Sequence, residues 1–157
     1  MSRGYFSYGR RWSKIKKKIE DLFDENLNLQ IHCTFYTITT KHFSFNSPRY
    51  WLVLDKEIIF DFPGQFFRKG SPDTRIEFLD EEGGLISSLL QCYVELPRDQ
   101  LLTGELPRDR WGVADILRAA DRRIGKNKLQ MKFQEAAEDS AVKKIIMKRF
   151  SSYYLEK

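Results

Sequence analysis

The 157-residue sequence holds two cysteines, Cys33 and Cys92, and two histidines, His32 and His42. So few thiols exclude a disulfide-stapled scaffold. Neither a C-x-x-C nor an H-E-x-x-H spacing occurs, and His32 and Cys33, being adjacent, point to opposite faces of any strand that carries them. No metal site is therefore expected. Long apolar runs are also missing: none approaches the ~20 residues that cross a bilayer. The basic start runs into Trp12-Ser13-Lys14 and not into the ~7–15-residue apolar stretch of a signal peptide. The expectation is a cytoplasmic chain with no membrane partner. No G-x-S-x-G elbow occurs, and Gly83-Gly84 and Gly125-Lys126 lack the spacing of a phosphate loop. Neither cofactor nor catalytic residues can be named, and an enzyme of unknown type is the least supported reading.

What is present is core-forming material. A chain 41% hydrophobic and 14% aromatic can bury enough surface to fold, and its length suits one domain. The expected division is a flexible basic tail over residues 1–11 and a single domain over residues 12–157. The net charge of +5 hides a block pattern. Residues 1–20 carry seven Lys/Arg against one acid, residues 21–121 carry ten against seventeen, and residues 122–150 carry nine against three. Basic character thus lies towards the two ends. If those ends share a face they attract phosphate or an acidic protein surface; if they flank the acidic middle they are neutralised internally.

Apolar periodicity assigns the elements. Ser13 is placed to cap a helix over Lys14–Phe23, with Ile15, Ile19, Leu22 and Phe23 on one face and Lys14, Lys16, Lys17 and Lys18 on the rest. Leu27–Ile38 alternates as a half-buried strand with Cys33 on its apolar face. Residues 39–48 are expected as a loop. Tyr50–Leu54 and Glu57–Phe62 then form a hairpin around Asp55-Lys56, where lysine is ill-suited to positive φ and points to a looser turn. Residues 64–75 are expected as a loop and Arg75–Leu79 as a short strand. A helical period follows from Gly84 and stops at Pro97. The pentapeptide ELPRD occurs at Glu95–Asp99 and again at Glu105–Asp109. The first copy suits a helical turn over Pro97–Leu102, and the second opens a helix over Arg110–Arg123 that Gly125 terminates. Lys128–Ala137 adds a turn or two, and a last helix covers Ser140–Tyr153, with Lys143, Lys144, Lys148 and the charge of Arg149 on its solvent side. Strands first and helices later define an α+β fold, a small antiparallel sheet with an N-terminal helix and a C-terminal helical half.

Three motifs resemble an uncharacterised family of small bacterial cytoplasmic proteins: a W-S-K-x-K helix start (Trp12–Lys16), Tyr-x-x-Leu-Pro (Tyr93–Pro97), and Asp-Arg-Arg-x-Gly-Lys (Asp121–Lys126). The resemblance spans about residues 11–150. It departs at Asp55-Lys56, where the family carries Asp-Gly, and at Asn127, where a basic residue is commoner. It brings no biochemical activity. Some members occur near secreted-toxin genes, so it implies an immunity or other inhibitory role. The residues themselves support a macromolecule-binding module whose candidate binding set is Lys14, Lys16, Lys17, Lys18, Arg122, Arg123, Lys126 and Lys128. Its partner is then another protein or, in the rival reading, nucleic acid held by the basic ends. Trp12 and Trp111 are expected as packing anchors.

Overall fold

The computed structural model describes residues 10–39, 41–42, 44–62 and 76–155. Helix α1 (Arg10–Leu22) leads into strands β1 (Leu29–Thr39), β2 (Ser44–Leu54) and β3 (Glu57–Phe62), an antiparallel meander in the order β1-β2-β3. Helix α2 (Ile76–Glu95), a 3-10 turn (Arg98–Gln100), α3 (Val113–Ala120), α4 (Lys126–Glu135) and α5 (Ala141–Leu155) follow. This is the expected α+β fold.

The period-2 alternation of β1 carries through the sheet. Ile31 lies opposite Leu52, and Leu52 opposite Phe60; all three are buried. They meet Ile19 of α1, Leu89 and Leu90 of α2, Leu117 of α3 and Ile145 of α5 in one core. Trp12 sits edge-on to Tyr50 at 6.1 Å and Trp111 tilts against Phe62 at 5.6 Å, so both tryptophans act as packing anchors.

Several boundaries differ from those read in the sequence. The segment expected as a loop over 39–48 is largely strand, because β2 begins at Ser44 and its first residues pair with Thr34–Thr39 despite Pro48. Helix α2 begins at Ile76, so Ile76–Leu79 is helix where a short strand is expected: a helix once nucleated propagates along the chain, and this one runs on through Gly83-Gly84. The loop expected over 64–75 lies outside the described residues. Helix α1 begins at Arg10, within the segment expected as a tail, so Ser13 lies inside it and is not its cap; residues 1–9 lie outside the described residues. The Asp55-Lys56 turn is tight after all, with φ of 50° and 71°, the two positive angles that match the twist of the flanking strands. Gly125, expected to terminate the helix before it, is extended (φ −81°) and precedes α4; α3 stops earlier, at Ala120.

The open side of β1 is covered in an unusual way. Lys16 and Glu20, one helical turn apart on α1, form an ion pair at 2.8 Å. The Glu20 carboxylate accepts the Ile31 amide at 3.0 Å, and Lys16 Nζ donates to the Ile31 carbonyl at 2.7 Å. The pair thus satisfies the two backbone groups that Ile31 would otherwise present at the strand edge to another chain. His32 stacks on Trp51 at 5.1 Å on the opposite face; burial and the Lys16 charge hold its imidazole below the ordinary value.

Candidate functional site

The Asp121–Ile124 segment joins α3 to α4 and is built around buried charge. Asp121 is fully buried. Its carboxylate accepts the Tyr93 hydroxyl at 2.6 Å, and the Arg123 backbone amide, Nε and Nη2 at 2.9, 3.0 and 2.8 Å. Burial, together with the adjacent Asp121 carboxylate, pushes the Tyr93 hydroxyl well above its usual range, and the bond to Asp121 holds the Arg123 guanidinium charged. The Tyr-x-x-Leu-Pro and Asp-Arg-Arg motifs, 28 positions apart from Tyr93 to Asp121, are therefore two halves of one contact.

Arg149 completes the network from α5. Its guanidinium is buried, not solvated as expected from the helix period, and donates to the carbonyls of Ala119, Asp121 and Ile124 at 2.9–3.0 Å and to Asp24 Oδ2 at 3.1 Å. These acceptors include the last carbonyls of α3, which have no partner within the helix. Asp24 is placed by the end of α1, where its amide donates to Ala120 and the Arg122 amide donates to Leu22. The basic C-terminal segment is thus stitched to the basic first helix through the main chain.

The structure distributes the eight sequence-derived cations over different surfaces. Lys14 and Lys18 are exposed on α1. Lys16 is committed to the β1 edge, and Lys17 pairs with Asp21 at 3.2 Å in solvent, a contact worth little. Arg122 donates to the Asp21 carbonyl at 3.0 Å beside a groove that also contains Glu20, Asp21, Asp24 and Glu25. Lys126 lies 6.0 Å from the Phe150 ring. Arg123 and Lys128 come together in a cleft of about 250 Å³, completed by Arg98, Asp99 and Thr103 over a floor of Leu101 and Ile124.

This cleft brings three cations, Arg98, Arg123 and Lys128, to one place on the described surface. Arg123 is held rigidly because two of its guanidinium nitrogens are fixed to Asp121, leaving Nη1 outside that bidentate pair. Arg98 and Lys128 are exposed. The loop carrying Thr103 closes tightly at Gly104, whose amide donates to Gln100 at 2.7 Å. A Cβ at Gly104 would come within 2.8 Å of the Gln100 carbonyl, so only glycine allows this approach. Against three cations stand Asp99 on the rim and Asp121 beneath, an arrangement left positive by one charge and suited to a single carboxylate or phosphodiester. Arg98 and Thr103 were not among the residues read from the sequence; the first ELPRD copy, which supplies Arg98, was the available signal.

Among the described residues, no three His, Cys, Asp or Glu are grouped to hold a metal ion, and no helix is long and apolar enough to cross a membrane. Fold and site define an α+β domain with a cationic cleft set on a buried Asp–Arg network. The SF0329 protein family matches residues 11–150, and the chain belongs to it. No curated protein and no solved structure matches the chain.

Proposed function

We propose that the chain is a non-enzymatic binding module that grips another protein through an acidic side chain or terminal carboxylate seated in the Arg98–Arg123–Lys128 cleft. The observation that carries this reading is the posture of Arg123. A buried carboxylate fixes its guanidinium before any partner arrives, which lowers the ordering cost of association. The apolar floor of Leu101 and Ile124 strengthens a charge contact relative to open water. A toxin-neutralising role fits the same surface: occluding an acidic target requires a cationic contact, and the cleft supplies one.

Nucleic-acid binding is less well supported. A polyanion needs a continuous run of available cations. Here Lys16 and Lys17 are paired with acids, and Arg122 stands in a groove with four carboxylates. The test is a titration with an acetylated tetraglutamate peptide and, separately, with a 20-nucleotide oligothymidylate, each at two salt concentrations. Peptide-induced amide shifts at Arg123 and Lys128, lost in the Arg98→Glu/Lys128→Glu double variant, support the proposal. Tight, steeply salt-dependent DNA binding with shifts along α1 overturns it.

A further inference from the structure

The cleft of Arg98, Arg123 and Lys128 has an apolar part that an acidic group alone leaves unused. Leu101 and Ile124 are buried in its floor. Leu102 also lines it and is one of the few large apolar side chains left exposed among the described residues, at 37%. The lining is fixed from behind. Arg118 Nε donates to the Leu101 carbonyl at 2.9 Å, and Asp121 holds Arg123 through Nε and Nη2. An occupant therefore meets a preformed surface that carries both cations and hydrocarbon.

Charge limits how many anions enter. Arg98, Arg123, Lys128 and Asp99 line the cleft. Behind them lie Asp121, paired with Arg123, and Arg118, paired with Asp115 at 3.4 Å. Four cations against three carboxylates leave a surplus of one. A single carboxylate is neutralised there, and a second finds no cation left over.

Volume limits the rest. The cleft holds about 250 Å³, below the ~300–1,000 Å³ of sites that enclose drug-sized ligands. It takes one residue and not a stretch of chain. An acidic side chain inside a partner's sequence brings main chain on both flanks and has no apolar branch beside its carboxylate. The last residue of a chain brings main chain on one flank only, and its carboxyl carbon stands two bonds from Cβ.

Resting on the reading of this cleft as the seat of an acidic group, we infer that its occupant is the C-terminal residue of a protein partner, with a free α-carboxylate and a branched apolar side chain. The carboxylate goes to Arg123 Nη1 and the Lys128 ammonium, a form of end capture that reads a terminus. The side chain lies against Leu102 over the floor of Leu101 and Ile124.

Four acetylated tetrapeptides test this, titrated against the full chain at low salt with amide shifts as the readout: Gly-Ser-Gly-Leu as the free acid, the same peptide amidated, Gly-Ser-Gly-Gly as the free acid, and Gly-Glu-Gly-Leu amidated. The leucine-ended acid is expected to bind at least about tenfold more tightly than either amide, with shifts centred on Leu102, Arg123 and Lys128. It should exceed the glycine-ended acid by roughly three- to fivefold. Leu102→Ser, at an exposed position and with the melting temperature as the folding control, should remove that last preference and leave the glycine-ended acid unaffected. Arg98→Glu/Lys128→Glu should abolish binding of both acids. Equal or tighter binding of the amidated Glu peptide overturns the chain-end assignment while leaving the acidic-group reading of the cleft standing. Equal binding of the two free acids, or shifts located elsewhere, also overturns the assignment. No binding by any acid-bearing peptide overturns both.

Discussion

Arg149 Nη1 donates to the backbone carbonyl of Asp121 at 3.0 Å, with both residues shut away from water. The contact ties the last helix to the joint between α3 and α4, and through Asp24 to the end of α1. Two guanidiniums, those of Arg123 and Arg149, and two carboxylates, those of Asp24 and Asp121, form a network with no net charge. Burial is tolerable for that reason, since each ion keeps a partner and hydrogen bonds.

Arg149→Leu removes the guanidinium while leaving Asp24 and three carbonyls short of donors. The expected loss is about 3–5 kcal/mol, visible as a large drop in midpoint on denaturant unfolding. Arg149→Lys should recover little of it, because an ammonium cannot fork to four acceptors. A lysine variant as stable as the parent would mean the network is not built as described.

Tyr93→Phe deletes one hydrogen bond to a buried carboxylate at almost constant volume. The expected cost is about 1.5–3 kcal/mol. Because that bond also helps hold Asp121 where it orients Arg123, the variant should bind the tetraglutamate peptide more weakly, whereas an equally destabilising change in the sheet core should not.

Lys56→Gly relieves a side chain held at φ 71°. A gain of about 0.5–1 kcal/mol is expected, read as a raised melting temperature. A loss would mean that the lysine makes a compensating contact outweighing its backbone strain.

Glu20→Ala strips the β1 edge of its acceptor and leaves Lys16 without its ion-pair partner. The expected result is a modest loss of stability, about 1 kcal/mol, accompanied by concentration-dependent association through the bared strand. Sedimentation velocity distinguishes this from simple destabilisation, and Glu20→Gln, which keeps an acceptor, should stay monodisperse relative to the alanine variant.

Cys33 lies on the inner side of β1, where burial pushes its thiol up to about 12. The thiol in an unfolded chain titrates near 8.5. The folded state therefore holds the proton more tightly, so the stability contributed by this group is complete below about pH 8.5 and is lost as pH rises towards the folded value. Cys33→Ala should flatten the alkaline limb of the stability profile, and native Cys33 should react slowly with alkylating reagents at pH 8.

Elements with strong periodicity were legible from residues alone: β1 by its strict alternation, α5 by its apolar stripe, and the hairpin by its length. Ends set by long-range pairing were not. The first half of β2 is a strand because β1 lies beside it, although Pro48 has no amide to donate to a ladder. The buried role of Arg149 was hidden for a similar reason. Arg149 follows Ile145 and Ile146 by one helical turn in the sequence, but the acceptors awaiting it come from α3, the α3–α4 joint and the end of α1. The Asp121-Arg122-Arg123 run was recognisable as a unit. That its two arginines face different grooves follows only from the bidentate hold of Asp121 on one of them.

The most direct measurement is calorimetric titration of a protein partner, captured with the intact chain and then purified, against wild type and the Arg98→Glu/Lys128→Glu variant. The account predicts that the variant, folded and melting as the parent does, loses at least about tenfold in affinity, or about 1.4 kcal/mol. Undiminished affinity in the charge-reversed cleft would contradict it.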